Sequence, residues 1–577
     1  VAPRDYKEDE RVEVHVNSLT PMMGPHSQQL KSVIPYDYYY KPFHFCSPEE
    51  KLSQPESLGS ILFGDRIFNS PYNLKMLKNN HTCNVLCPEG KEESVPPEDA
   101  KFINARISEN YAINWLIDGL PAASKRIDSK TGEEFYSIGF ELGDQKMNLH
   151  NHYAIEIHYH EHQNEKKYRV VGVTVNPSSR KYKNYEEAKT CKAEGFLTLS
   201  TQKSNDVFYT YEVSWIPSET AWATRWDNYL HTFDPRIHWF SLVNSIVIVL
   251  FLTGMVAMIL LRALHKDISR YNQIDAQEDV QEDFGWKLVH GDVFRPPSHI
   301  MLLSVLLGSG AQLFFMTTVT LIFAVLGFLS PSNRGSLATV MIIFYMLFGS
   351  VAGYTSARVY KTFGGESWKK NVFLTAFLFP MIIFSIFVIL NFFLVSAKSS
   401  GAVPASTLLA IIGLWFLISV PLCCIGSLFG FKKPRIEKPV RTNQIPRQIP
   451  DQVFYLRPIP SMLMGGVLPF GAIFIELYFI MNSIWGSKIY YLFGFAAMDY
   501  HWSWRAFLTS GASGLYIFIY SIMYFLTRLQ ITSLTSTVIY FGWSGVMSLM
   551  FFVLTGTIGY FACLVFIRKI FMSIKVD

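Results

Sequence analysis

Three groups of side chains in this 577-residue chain have types and spacings that can do chemistry. His158, His160 and His162 alternate. A strand would set them on one face with Glu156, with His150 and His152 nearby, and such a face can hold zinc or copper. A solvated strand face is the plainer reading. Glu476 sits near the middle of a long apolar run. An ionisable group there is costly and needs a partner or water. It reads either as a proton-coupling or binding group, or as a hydrogen-bonded glutamate that pins helix packing. Cys46, Cys83, Cys87 and Cys191 form the third group. In a non-cytosolic domain four cysteines imply two disulfides, in any of three pairings. A zinc site at Cys83-x3-Cys87 would need two further ligands. Asn80-His81-Thr82, beside Cys83, is a glycosylation acceptor. There is no Gly-x-Ser-x-Gly, no Walker A loop and no His-Glu-x2-His, and Gly364-Gly365-Glu366-Ser367 lacks the phosphate-loop lysine. The chain reads as non-enzymatic, with no cofactor.

The elements that must position these groups divide the chain by solvent. Charged residues make up only 17%, against about 25% in ordinary soluble chains, and the deficit is concentrated after Trp239. A purely soluble enzyme, a disordered chain and a fibrous protein are excluded, and a net charge of +5 gives no reason to expect nucleic acid. Residues 1–235 have soluble composition. Ala154–Tyr159, Tyr168–Val175 and Val207–Trp215 read as strands, and Asp99–Leu116 as a helix. The expectation is a β-rich, sandwich-like domain. The start at Val1-Ala2-Pro3 reads as a chain without its signal peptide, or as an internal fragment.

Residues 236–577 read as a transmembrane bundle, so the whole is an α+β membrane protein. A crossing takes about 20 apolar residues. Eight runs qualify: Trp239–Leu261, Ile300–Leu329, Leu337–Tyr360, Val372–Val395, Pro404–Phe429, Met462–Trp485, Ala506–Leu526 and Ser536–Ile567. Ile489–Met498 is apolar but only a stub. Lys and Arg crowd the connections after the first, third and fifth spans, whereas the alternate ones carry little more than Arg334 and Lys398. By the positive-inside rule the odd spans end in the cytosol and the N-terminal domain lies opposite. Eight spans would then leave the tail non-cytosolic, against Arg568-Lys569 and Lys575. Nine crossings satisfy every connection, so the stub reads as the remnant of a lost span. The loop Lys432–Arg457 interleaves cations with prolines and can touch anionic lipid heads. Small residues crowd several spans, as in Gly308-Ser309-Gly310, Gly349-x3-Gly353, Gly426-x3-Gly430, Gly465-Gly466 and Gly511-x2-Gly514. Such faces let helices approach closely. Gln312, Asn391 and Asn482 read as interhelical glue.

Several long strings resemble the nonaspanins, the transmembrane-9 superfamily of endomembrane protein 70 type. They include Tyr36–Tyr40 through Phe45-Cys46, Pro55–Gly59, Gly64–Ile67, Asn114–Pro121 and Trp222–Asp227 in the soluble half. In the membrane half they include Gly285–Arg295, Gly327–Pro331, Arg441–Pro450, Gly471–Leu477 and Thr555–Gly559. The tyrosine run and Ile117–Pro121 look most like fungal members. The family has nine spans, and between Phe495 and Asp499 this chain lacks about one span's worth, as exon skipping would produce. The resemblance implies a Golgi and endosomal protein that sorts and localises membrane proteins with glycine-rich transmembrane segments, linked to adhesion and phagocytosis. It also implies that Lys575-Val576-Asp577 is a cytosolic tail read by the COPI coat. The competing class is a proton- or metal-linked transporter or channel built on Glu476. A short, non-functional splice product is a third reading.

Overall fold

The computed structural model describes residues 3–573 except 23–28, 79–80, 88–92, 128–133, 163–165, 194, 231–242, scattered positions from 244 to 268, 270–289, 329–334, 446–456 and 487–501. The N-terminal part is β-rich. Its largest sheet has six strands, in spatial order Glu134–Ile138, Ala123–Ile127, Lys167–Ser178, His152–His162, Thr210–Pro217 and Asn84–Val85. The long central pair is antiparallel. A four-stranded sheet runs Leu120–Pro121, Trp115–Ile117, Val14–Val16 and Phe68–Asn69. Fully buried Trp115 meets Phe140 and Tyr153 edge-on, so the two sheets share one core. That buried aromatic area is what a domain with so many two- and three-residue strands needs to hold together.

Two expectations fail locally. The helix expected over Asp99–Leu116 is α2, Pro97–Ser108, which follows the short α1, Leu58–Leu62. Asn110 takes a left-handed conformation (φ 59°) and ends it. The aromatic and β-branched residues beyond, Tyr111–Ile113 and Trp115–Ile117, are strands. The strand expected over Val207–Trp215 is two: Asn205–Val207 pairs with Glu93–Val95, and Thr210–Pro217 joins the large sheet.

Seven described helices form the bundle: α3, Ile300–Val325; α4, Ser336–Thr362; α5, Trp368–Ser396; α6, Ala405–Lys432; α7, Pro458–Gly486; α8, Trp502–Arg528; and α9, Leu534–Ser573. All but α7 are long and apolar enough throughout their described residues to cross a membrane. The expected first span lies largely outside the described residues, and the stub at 489–498 wholly so.

Contacts fix each helix's direction. Gly335, Ser399 and Gln530, in the connections before α4, after α5 and after α8, all touch the β domain. Phe363, Lys438, Trp502 and Phe571 gather at the other end. The helices alternate in direction with one exception. Gly465 lies on Thr509, Gly466 on Ala512, Phe470 beside Tyr516 and Phe474 beside Tyr520. Thus α7 and α8 run parallel, both toward the β domain.

The small-residue faces are spent inside this bundle. A Cβ on Gly353 would strike the Cys423 carbonyl, and one on Gly426 the Ser350 carbonyl, so the two G-x3-G stretches interlock α4 with α6. Gly308 faces Ala352 and Ser356, Gly310 faces Thr557, and Gly511 and Gly514 face Phe552. Gln312 donates to the Tyr345 carbonyl at 2.6 Å, and Asn391 holds both the N–H and the C=O of Val403. The side chain of Asn482 lies outside the described residues. Pro380 of α5 lacks the N–H that would bond Ala376, four residues back. Trp415 supplies it instead, its indole N–H donating to the Ala376 carbonyl at 3.2 Å from a π turn, Trp415–Ser419, in α6.

Candidate functional site

Two rims of the bundle carry four of the strings singled out in the sequence. On the near rim the β domain is bonded to the helices at three separated places. Ser57 caps α1, and the Gly59 N–H donates to Thr339 Oγ1 at 2.9 Å. No side chain fits at Gly59, because the Gly335 carbonyl occupies that space. Arg66 donates to the Ala402 carbonyl at 2.8 Å, beside Gly64, which packs on Gly401. The Pro35 carbonyl accepts from Ser399 Oγ (2.6 Å) and from the Ser400 N–H (3.1 Å). The Gln530 N–H bonds the Leu30 carbonyl, and the Leu30 side chain enters the core between α7, α8 and α9. Ile539 of α9 in turn joins the core of the β domain. The Pro55–Gly59 and Gly64–Ile67 strings are therefore docking elements.

Two more strings meet inside the β domain. Asp118 and Arg225 form an ion pair at 2.8 Å with both side chains buried. Arg225 also donates to the Val170 and Asp118 carbonyls and stacks over Trp222. Asp118 accepts from the Tyr6 hydroxyl at 2.9 Å. This pair ties the last turns of the domain to its centre, just ahead of the chain's passage to the bundle. Sequence reading quoted both strings without joining them, because their separation of 107 residues gives no signal. The tyrosine run is aromatic core: Tyr36, Tyr40, Phe43 and Phe102 pack together, and Arg106 donates to the Tyr36 hydroxyl at 2.8 Å.

On the far rim, Arg295 bonds Asp292 (2.7 Å) and the Asn443 carbonyl (2.8 Å), and the Asn443 N–H bonds the Gly291 carbonyl. Trp502 and Trp504 donate to the Val293 and Ser298 carbonyls. Lys361 bonds the Lys433 carbonyl, and Lys438 that of Phe294. The described parts of the 285–295 and 441–450 strings thus form a collar under the helix ends.

The four soluble-half cysteines pair as Cys46–Cys87 and Cys83–Cys191. Asn80 lies outside the described residues. Glu156 is held by Lys125 at 2.8 Å, and His160 bonds the Ser218 carbonyl at 3.0 Å. His158 packs over Gly172 and near Tyr136, and the side chain of His162 lies outside the described residues. Among the described residues no three His, Cys, Asp or Glu side chains converge as metal ligands. His152, expected only as a neighbour of that histidine face, is buried and bonds Thr210 at 2.8 Å beside the Cys191 sulfur. Burial, and then the nearby Arg180 charge, push it down to about 4. Glu476 belongs to α7, with its side chain outside the described residues, and Lys575, Val576 and Asp577 also lie outside them.

Fold and rims together define a multi-pass membrane protein with a disulfide-bonded β domain seated on one end of its helices. Comparison with known proteins gives the particular family. The Endomembrane protein 70 family model matches residues 35–498 and 495–534. Transmembrane 9 superfamily member 9 of Arabidopsis thaliana is 44% identical over all of this chain and 95% of its own length. Member 1 of Saccharomyces cerevisiae and member 2 of Homo sapiens are also 44% identical over the whole chain, covering 96% and 94% of their own lengths. The chain belongs to the endomembrane protein 70, or transmembrane 9, family. Equal identity to plant, yeast and human relatives gives no preference for a fungal member. No solved structure matches. The family match breaks in two at 495–498. The Arabidopsis alignment runs over 628 positions against 577 residues here, so the excess is relative sequence with no counterpart in this chain.

Proposed function

We propose that this protein is a non-catalytic component of Golgi and endosomal membranes that sorts and localises membrane proteins with glycine-rich transmembrane segments. The observation that carries the reading is family membership over the full length of the chain. In this reading the β domain is luminal. Two disulfides suit an oxidising compartment, and the cation-rich segments lie at the opposite end of the bundle, as expected of a cytosolic face. The tail after Ser573 then emerges in the cytosol, where Lys575-Val576-Asp577 can meet the COPI coat, and Asn80 is available to luminal glycosylation. Links to adhesion and phagocytosis follow from the clients.

The parallel run of α7 and α8 supports nine-crossing parity, since a chain leaving one at the β-domain side enters the other at the far side. Only fifteen residues, 487–501, join them. Wound as helix these reach about 22 Å, short of the roughly 30 Å of a hydrocarbon core. On this reading the chain is one helical span short of nine crossings.

The test is an organelle-resolved membrane proteome after removal of the protein, with rescue by this chain and by Glu476→Gln. Mislocalised glycine-rich membrane proteins restored by both constructs support sorting. Unchanged locations with altered luminal pH or metal content, and no rescue by Glu476→Gln, would replace it with transport.

A further inference from the structure

A recess opens in the far rim, where α4, α8 and α9 end against the segment before α3 and the loop after α6. Its wall is overwhelmingly apolar, with Phe363 and Leu564 among the lining side chains, yet Arg295, Lys438 and Arg568 also line it and Glu437 is the one carboxylate among them. Arg295 is balanced by Asp292. Among the described residues Lys438 has a carbonyl as its hydrogen-bond partner, and burial, helped by the nearby Arg435, lowers its affinity for a proton. The Arg568 Nε–H is buried and has no hydrogen-bond acceptor among the described residues. A buried guanidinium donor left unpaired is costly, because its water is gone and nothing replaces it. The recess therefore offers an anion two cationic donors, Lys438 and Arg568.

Its depth says which anion. Trp502 and Trp504 sit at this level, each with its indole N–H on a carbonyl of the collar, which is where tryptophans gather at a membrane's headgroup layer. An anion at headgroup depth beside an apolar wall fits the phosphate of an amphiphile.

We infer that this recess binds an anionic phospholipid of the leaflet opposite the β domain, its phosphate on Arg568 and Lys438 and its apolar part against Phe363 and Leu564. Guanidinium and phosphate make charge-assisted, often bidentate bonds. The site goes beyond the sorting reading and does not depend on it. It also differs from general attraction of a basic loop to a charged surface, because one arginine and one apolar wall decide it.

The test uses the purified full chain in neutral detergent, with native mass spectrometry of bound lipid. Phosphatidylinositol phosphate and phosphatidylcholine are offered at equal concentration, with inositol phosphate and inorganic phosphate as soluble competitors. The expected result is retention of the anionic lipid over phosphatidylcholine. Arg568→Gln should lower it about tenfold to a hundredfold, the worth of one charged hydrogen bond, and Arg568→Lys should keep part of it. Leu564→Trp, which fills the recess without touching a charge, should also displace the lipid. Equal retention by folded Arg568→Gln, or equal retention of phosphatidylcholine, overturns the proposal. Displacement by inositol phosphate or inorganic phosphate at matched concentration overturns the lipid as the source of the phosphate. Should Arg568→Gln fail to fold, Leu564→Trp decides: undiminished lipid in that variant refutes the site.

Discussion

Replacing Arg225 by Met should cost the β domain more than any single hydrogen bond in it. The guanidinium and the Asp118 carboxylate are both almost wholly buried, at 6% and 9% side-chain exposure. Removing the arginine leaves a carboxylate in low dielectric with only the Tyr6 hydroxyl as partner, and leaves the Val170 carbonyl without its Arg225 donor. Breaking one side of such a pair costs about 3–5 kcal/mol. For a domain of this size each kcal/mol lowers the melting temperature by about 2–4 °C, so the expected fall is roughly 6–20 °C. Asp118→Asn is the milder change, since Asn tolerates the left-handed backbone at 118 (φ 49°) and still accepts from Tyr6. The double variant Asp118→Asn, Arg225→Met should melt above Arg225→Met alone, because no charge is then stranded. The assay is thermal unfolding of the full chain in detergent, followed by near-ultraviolet circular dichroism. A fall below about 2 °C for Arg225→Met, or a double variant equal to the sum of the singles, would refute the buried-pair reasoning and class this contact with surface ion pairs.

Three further outcomes are expected. Trp415→Phe leaves the Ala376 carbonyl without a donor and should cost about 1–3 kcal/mol; Pro380→Ala, which restores a backbone donor, should recover part of it when bundle unfolding is titrated with a denaturing detergent. Gly426→Ala drives a Cβ into the Ser350 carbonyl and should cost about 1–3 kcal/mol or more, whereas Gly413→Ala, with nothing within 4 Å, should be neutral or slightly stabilising in the same assay. Stability of the β domain should fall as pH drops from about 6.5 toward about 4. His152 is held near 4 when folded, against an ordinary histidine value of 6.5, so the unfolded chain takes the proton first across that window, at a cost approaching about 3 kcal/mol. His150 and His158, also lowered by burial, act in the same direction, and melting curves of His152→Gln should show a shallower pH slope.

What the sequence disclosed follows from how local each signal is. The bundle was legible because a crossing needs a contiguous apolar run, and α3 to α9 begin and end within a few residues of the runs read from composition. Strands such as His152–His162 were legible from alternation alone. The boundary at Asn110 was not, because the apolar positions of Tyr111–Ile117 also fit a helix face, and only tertiary pairing with Val14–Val16 and Thr20–Pro21 decides for strands. The Asp118–Arg225 pair, the choice of Cys83–Cys191 among the pairings, and the service of Trp415 to a carbonyl freed by Pro380 are all non-local. Each residue was visible, but its partner lay too far along the chain for spacing to name it.

The small-residue faces constrain how a client segment could be recognised. Every glycine pair quoted from the sequence has its close contact inside the protein: α4 with α6, α3 with α4 and α9, α7 with α8, α8 with α9. These faces were free to serve as a lateral client surface only while their partners were unknown. Gly413 and Gly471 differ, because neither has a neighbour within 4 Å among the described residues. Gly413 also lies between Leu409 and Leu417, both strongly exposed, and two residues before the π turn of α6. Recognition by close helix approach, if it uses glycine at all, has these open positions to work with. Lost sorting in a Gly426 variant would report a broken bundle. Lost sorting in a Gly413→Leu variant that melts like the parent would report recognition.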